Sequence, residues 1–193
     1  MALFNYGSGL KDTFVRTGSY LPGEITKSGW KQAPSLNSAI AIEFGQAVKR
    51  DVSGAVPLAV NIAAGDTADD LYGIAVRDVQ SQSQVAYGAY TKSFISNYIP
   101  GQGITVIRKG WVCVPVQNGT QTIDGTVYMR VTASDSNANL PIGGFETSSD
   151  NGKCVAINAK FESGPIFPMN GTSTAPTATL PTSQIAVIYL DLE

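Results

Sequence analysis

Short runs in which apolar residues recur at every second position are the feature that most constrains the fold of this chain. The longest run spans residues 104–116, and residues 155–161 and 185–192 are further runs of the strand type. Side chains of a strand point alternately to the two faces of a sheet, so a period of two predicts half-buried strands. No amphipathic helix longer than two turns is convincing. Seven or so strands at this spacing predict an all-β protein, either a sandwich or a small β-barrel.

Glycine, proline and turn residues divide these runs. Gly110 interrupts the longest run, and a glycine inside a long strand marks a bulge or a bend at which the strand can pass between sheets. Asn118-Gly119 and Asp124-Gly125 predict turns, and a strand follows over residues 126–132 with its three odd-numbered apolar residues inward. Pro57 interrupts the run 56–62, which favours an edge position for that strand because proline donates no hydrogen bond to a neighbour.

Two further segments have no clear period. Residues 85–99 fit either a short helix or a meandering pair of strands, and we prefer strands. Residues 164–181 form a loop rich in proline, glycine and threonine, which is long enough to need a function or a partner.

The first 38 residues differ from the rest because they carry scattered aromatic side chains without any period. We therefore divide the chain into an extended N-terminal arm, residues 1–38, and a β-rich body, residues 39–193. Large apolar rings imply a surface on which to lie, and that surface belongs either to the body or to a partner. The candidate contact residues of the arm are Phe4, Tyr6, Phe14, Tyr20 and Trp30.

Composition argues against catalysis. The chain of 193 residues has no histidine, which removes the Ser-His-acid and Cys-His nucleophile systems and most zinc and non-haem iron sites. Charged residues make up 15% of the chain and the net charge is −2, without a basic stripe for nucleic acid or anionic lipid. We see no signal peptide and no membrane-spanning run, so we expect use in a reducing cytoplasm. Cys113 and Cys154 are then expected as two small buried residues rather than a disulfide.

Acidic residues could in principle supply chemistry in two ways. A hard cation could bind a cluster of three carboxylates. The spacing of these three residues is not that of an EF-hand, however, and a solvated turn explains their presence. Paired carboxylates could hydrolyse a glycosidic bond, although each candidate also suits an outward-facing strand position. We therefore expect no catalytic residue, no metal and no cofactor. The cation candidates are Asp66, Asp69 and Asp70, and the paired-carboxylate candidates are Glu43, Asp78 and Glu162.

Four short motifs carry a resemblance to a known class. They are FGQAV at 44–48, YGIAVRD at 72–78, KGWVCVPV at 109–116 and DGTVY at 124–128. With these motifs the chain resembles the head decoration proteins of tailed bacteriophages, in particular the structural cement proteins of podovirus capsids. The resemblance covers about residues 40–131 and continues to the C-terminal strand. It implies a small β-barrel or jelly-roll-like body.

The resemblance also implies a function. It implies a non-enzymatic virion protein that is assembled in the host cytoplasm, binds the outer surface of the capsid and cements neighbouring copies of the major capsid protein. It implies self-association as a dimer or trimer, and neither nucleic acid nor a membrane as partner. A carbohydrate-binding or receptor-binding β-module of a fibre or spike is the alternative, and a carboxylate-based β-sheet hydrolase is a third hypothesis.

Overall fold

The structure of the chain, a computed structural model, describes residues 22–27, 29–33, 36–77, 97–134, 140–164 and 184–192. These residues form thirteen strands and one short 3-10 helix, Ala68–Asp70, without an α-helix. The prediction of an all-β fold is confirmed. The strands are β1 Lys31–Gln32, β2 Leu36–Ser38, β3 Ile42–Glu43, β4 Ala47–Asp51, β5 Leu58–Asn61, β6 Leu71–Ala75, β7 Asn97–Tyr98, β8 Gly103–Ile104, β9 Val106–Asn118, β10 Thr126–Arg130, β11 Phe145–Glu146, β12 Cys154–Phe161 and β13 Gln184–Asp191.

Five strands close into a barrel in the order β9, β13, β12, β10 and β11, and β11 returns to β9. The longest ladder joins β13 to β9 in antiparallel register, from Gln184 opposite Val116 to Asp191 opposite Lys109. β11 has two residues, yet it pairs antiparallel with β10 and parallel with β9. Closure leaves these strands without the exposed edges that invite aggregation. The predicted small barrel is therefore confirmed.

The remaining strands extend the sheet outward from β9. β6 pairs with β9 through Ile74 opposite Ile107, and β4, β5, β2 and β8 follow in that order. β3 and β7 form a separate ladder. Because β5 pairs with β4 on one side and with β2 on the other, the edge position predicted from Pro57 is wrong. Pro57 precedes the strand, which begins at Leu58, so its missing N–H removes no bond of the ladder.

Strand β9 changes partners near Gly110, and both partners belong to the same sheet. Val106 and Ile107 pair with β6 of the extension, whereas the residues from Lys109 onward pair with β13 of the barrel. Gly110 has a φ of 128°, and a Cβ added to it would lie 2.7 Å from Cβ of Trp30. The missing side chain therefore lets the segment before β1 cross close over β9.

Buried apolar side chains form three clusters, and alternate residues of β9 contribute to different ones because successive side chains face opposite sides of the sheet. The largest cluster holds the barrel strands together, the second packs on the extension, and the third lies on the face of β9 and β13 opposite to the first. Representative members are Val112, Val114 and Ile188 of the first, Val48, Ala59 and Val106 of the second, and Cys113, Ile185 and Val187 of the third.

Both cysteines are free and buried, so the prediction that they act as small buried residues is confirmed. Burial raises the pKa of the Cys113 thiol and of the Cys154 thiol to about 12. Both groups are therefore protonated at neutral pH. The described part of the chain also contains no helix that is long and apolar enough to cross a membrane.

The described residues of the predicted arm are hydrogen-bonded to the body. The Gly23 N–H donates to the Cys113 carbonyl at 2.8 Å, and the Cys113 N–H donates to the Glu24 carbonyl at 2.9 Å. β1 continues along β9, and β2 lies between β5 and β8. The described sheet therefore has no break at residue 38. For the residues before 22, an arm that leaves the body stays a prediction.

Most of the ambiguous segment 85–99 lies outside the described residues. Its last described part contains β7, which pairs with β3 through Tyr98 opposite Ile42. The loop predicted over residues 164–181 also lies outside them, except for Gly164.

Candidate interaction surfaces

Trp30 is the single arm candidate that the structure describes. Its side chain is 36% exposed, and its backbone lies against Gly110 of β9. The Cα and Cβ atoms of Trp30 thus lie close to β9 at the point where the barrel meets the extension. The other four candidates lie outside the described residues, so their grouping with Trp30 stays a prediction. These four are Phe4, Tyr6, Phe14 and Tyr20.

Five further large apolar side chains are exposed, and sequence reasoning missed them because single valines and isoleucines next to strands are ordinary. They lie on turns between strands rather than on sheet faces. They are Ile40 (41% exposed), Val52 (63%), Val56 (62%), Ile99 (55%) and Ile123 (66%).

The turn between β4 and β5 carries two of these side chains, Val52 and Val56. Residues 52–56 are all exposed and carry no charge. The Asp51 carboxylate accepts a hydrogen bond from the Ser53 N–H at 2.9 Å, which fixes the start of the turn. Hydrogen bonds to Ser53 lower the pKa of Asp51, so this group is charged at neutral pH. The hairpin therefore presents Val52 and Val56 on an anchored loop.

Two arginines flank one tyrosine beside this hairpin. The Arg50 guanidinium carbon lies 5.9 Å from the centre of the Tyr72 ring, and that of Arg108 lies 5.3 Å from it. Arg108 also donates to the Leu192 carbonyl at 2.7 Å, whereas Arg50 is exposed. Among the described residues, no carboxylate lies within ion-pair distance of either guanidinium.

Ile40 and Ile99 lie on neighbouring turns at another place on the extension. The Ser38 N–H donates to the Gln102 carbonyl at 2.9 Å, and the Gly101 N–H donates to the Ser38 carbonyl at 2.7 Å. These bonds hold the turn after β7 against the end of β2. These bonds therefore join the two segments that carry Ile40 and Ile99, which are 59 positions apart in the sequence.

An aromatic pair lies on the outer face of the barrel. The rings of Trp111 and Tyr189 are 4.8 Å apart at a tilt of 49°. The ammonium group of Lys27 lies 4.8 Å from the centre of the Trp111 ring and 3.7 Å from the Glu162 carboxylate. The lysine therefore occupies one face of the indole, where a sugar ring would have to stack.

A buried ion pair lies between β10 and β11. The side chains of Arg130 and Glu146 are 0% exposed, and the Arg130 Nε atom donates to Glu146 Oε1 at 2.5 Å. Gln117 and Asn118 of β9 donate to the two oxygens of the same carboxylate at 2.8 and 3.2 Å. Arg130 also donates to the Asp150 carboxylate at 2.5 Å. This cluster links the three strands at which the barrel closes.

The cluster sets the charge states of its members. Burial alone would raise the pKa of Glu146, but the hydrogen bonds from Arg130, Gln117 and Asn118 outweigh burial and hold that pKa below its ordinary value. Burial would likewise lower the pKa of Arg130, but its bonds to Glu146 and Asp150 raise that pKa above the ordinary value. Both groups are therefore charged at neutral pH. Their role is structural, since each is enclosed by protein.

The acidic candidates do not form a catalytic or metal-binding arrangement in the described structure. Lys49 lies 2.5 Å from Asp66 and 3.5 Å from Asp70, and the Asp70 carboxylate also accepts a bond from the Thr67 N–H at 2.9 Å. Asp69 lies between them in the 3-10 helix. No group of three potential metal ligands occurs among the residues that the structure describes.

The proposed carboxylate pair is divided among separate elements. Glu43 lies on β3 of the small ladder, and Glu162 follows β12 and faces Lys27. Asp78 lies outside the described residues.

A closed barrel and a sheet that extends from it define an all-β protein. Residues 12–190 match one protein family, described as structural cement protein (E217 gp24/Pam3 gp6). The chain therefore belongs to the family of phage structural cement proteins. Its membership gives it a structural role in the phage capsid and confirms the resemblance.

A solved structure supports the same fold. A chain of the structure described as the capsid of Myoviridae phage XM1 is 18% identical to this one, with a TM-score of 0.53. The alignment covers 99% of this chain and 98% of that chain. At this identity the likeness shows the fold. Among curated proteins, none matches the chain.

Proposed function

We propose that this chain binds the outer surface of a phage head and cements neighbouring copies of the major capsid protein. The family match over residues 12–190 is the observation that carries the proposal. A cement protein acts by adding contact area to a shell that has already closed, and it needs no catalytic group. The exposed apolar turns offer such area on a body without exposed barrel edges.

Repetition strengthens such contacts. A shell presents the same site many times, and an oligomer that holds several sites at once gains affinity by avidity. We propose that the chain forms a homodimer or homotrimer, with the aromatic residues before residue 22 and Trp30 in contact with the shell or a neighbouring copy. The protein would be made in the host cytoplasm and reside on the virion, without nucleic acid or membrane as partner.

The sugar-binding alternative has less support. A sugar-binding module needs an open aromatic platform, and the Trp111–Tyr189 pair is the aromatic pair on the outer barrel face. Lys27 lies over the Trp111 ring, and Trp111 Nε1 is buried without a hydrogen-bond partner. The Lys27 side chain over the Trp111 ring therefore does not favour sugar binding as a second function.

Binding to heads that lack the cement protein tests the proposal. Purified chain would be mixed with undecorated heads, and sedimentation would measure the copies bound per head. We expect saturation at a fixed copy number. Chain that stays in the supernatant at every concentration would refute the proposal.

A truncated chain tests the arm separately. Removal of residues 1–21 spares the bonds from Gly23 and Glu24 to β9, whereas a longer deletion would remove them and confuse unfolding with lost contact. We expect the truncated chain to keep its melting temperature and to lose head binding. Full occupancy by the truncated chain would show that the arm is not the anchor.

A further inference from the structure

The β4–β5 hairpin has an apolar tip that follows Arg50 closely along the chain. Val52 follows Arg50 by two positions, and Val56 precedes Leu58, which lies opposite Asp51 in the ladder. Two residues of extended chain span about 6 to 7 Å. The apolar tip and the Arg50 side chain are thus close enough to touch one partner surface together.

The apolar part of this surface lies in the turn between β4 and β5. Val52 and Val56 are 63% and 62% exposed, and residues 52–56 contain no charged side chain. Valine is stiff at χ1, so little conformational freedom is lost when it enters a pocket. The turn is also anchored by Asp51 and by the ladder to β5. Such a preorganised apolar tip suits insertion into an apolar pocket.

Arg50 and Arg108 indicate the charge that a partner would carry around such a pocket. The chain as a whole has a net charge of −2, yet Arg50 and Arg108 lie on the same Tyr72 ring. Among the described residues neither has a carboxylate partner, although Arg108 donates to the Leu192 carbonyl. Two guanidiniums close to one ring repel each other and favour a carboxylate between or beside them.

We propose that the hairpin tip, Arg50 and Arg108 form a docking surface for the shell protein, which would offer an apolar pocket with an acidic rim. This inference rests on the proposed function. The arginines would steer the approach and fix the register, and the valines would supply the apolar contact.

Head-binding measurements with variants of each part test the inference. V52S/V56S removes the apolar tip, and R50E reverses the exposed charge. I123S is the matched control for the tip because Ile123 is 66% exposed on another turn, and K160E is the control for the charge because Lys160 is an exposed residue of the barrel. Melting temperatures of all variants would be compared first, since these changes at exposed positions should leave the fold intact.

We expect both test variants to bind undecorated heads about tenfold more weakly or worse, and both controls to bind as the unchanged chain does. A rise in salt from about 0.05 to about 0.3 M should weaken the unchanged chain more than R50E. If the unchanged chain binds and the test variants bind equally well, this inference is overturned while the proposed function stands. If the unchanged chain does not bind, the proposed function fails with it.

Self-association is the remaining outcome. Sedimentation velocity of the free chain and its variants would show whether the same surface joins two copies. We expect the variants to keep the oligomeric state of the unchanged chain. Loss of that state in V52S/V56S would overturn the assignment to the shell protein.

Discussion

Replacing Glu146 with glutamine keeps the shape of the side chain but removes its charge from the cluster that closes the barrel. In the structure this carboxylate accepts hydrogen bonds from Arg130, Gln117 and Asn118, and its side chain is 0% exposed. The glutamine amide would keep one acceptor oxygen. Its NH2 group would face hydrogen-bond donors of the cluster in place of the second oxygen. Arg130 would stay buried, with the partly exposed Asp150 as its remaining acidic partner.

The expected cost follows from this burial. Removing one partner of a buried ion pair destabilises a protein by about 3–5 kcal/mol, and Arg130 would lose its fully buried partner and keep only the partly exposed Asp150. For a chain of this length the corresponding fall in melting temperature is roughly 6 to 20 °C. Denaturation by guanidinium at pH 7, monitored by tryptophan fluorescence and circular dichroism, would measure the free energy of unfolding of E146Q and of the unchanged chain.

The dependence on pH provides a second readout. The folded-state pKa of Glu146 lies below its ordinary value of 4.5, so its charge stabilises the fold above that value and ceases to do so as the pH falls through the folded-state pKa. The difference between the two proteins should therefore shrink in acid. The double variant R130M/E146L should lose less stability than E146Q, because an apolar pair of similar volume leaves no buried charge. A loss below about 1 kcal/mol in E146Q at pH 7 would refute the reasoning.

Three other predictions concern close packing and the thiols. G45A should cost about 2–4 kcal/mol in guanidinium denaturation, because Gly45 has a φ of 78° and an added Cβ would lie 2.9 Å from Gly23 N. G65A, with a φ of 84° and open space around it, should cost about 1–2 kcal/mol, and equal losses would contradict the packing argument. G110A should push Trp30 outward and speed tryptic cleavage in the segment before β1, and an unchanged digestion rate would show that the contact is dispensable. The two buried thiols, whose pKa values are raised to about 12, should not react with a disulfide reagent at pH 8 until the chain is unfolded, and rapid labelling of the native chain would contradict their burial.

The longer strands could be predicted from the sequence because a period of two needs several residues to become visible. β9, β12 and β13 have 13, 8 and 8 residues, and each lies where an alternating or an apolar run predicted a strand. β1 and β2 have two and three residues, too few to show any period. Their pairing with β9, β5 and β8 depends on partners far away in the sequence. This is why β1 and β2 resembled parts of an arm in sequence although both pair with strands of the body.

The surfaces were harder to predict than the fold for a related reason. Alternation along residues 126–132 places Arg130 opposite the inward side chains and therefore in solvent, yet it is 0% exposed because β11 and the residues around Asp150 cover that face. Arg50 and Arg108 meet only through Tyr72, which lies on a third strand. The spacing of residues in the sequence predicts neither the burial of Arg130 nor the approach of two arginines to Tyr72. The family motifs could be recognised because they lie on the strands that position these residues.

The Arg130–Glu146 pair explains how a two-residue strand can close a barrel. β11 contributes few ladder bonds, and the same carboxylate that lies on it receives donors from β9 and β10. An apolar pair would fill the space but would not fix the register of so short a strand, whereas directional bonds to three side chains do. The cluster therefore fixes barrel closure through strands other than β4 and β5, which carry the exposed hairpin. Because none of the cluster members lies on β4 or β5, substitutions in the hairpin remove no bond from the cluster that closes the barrel.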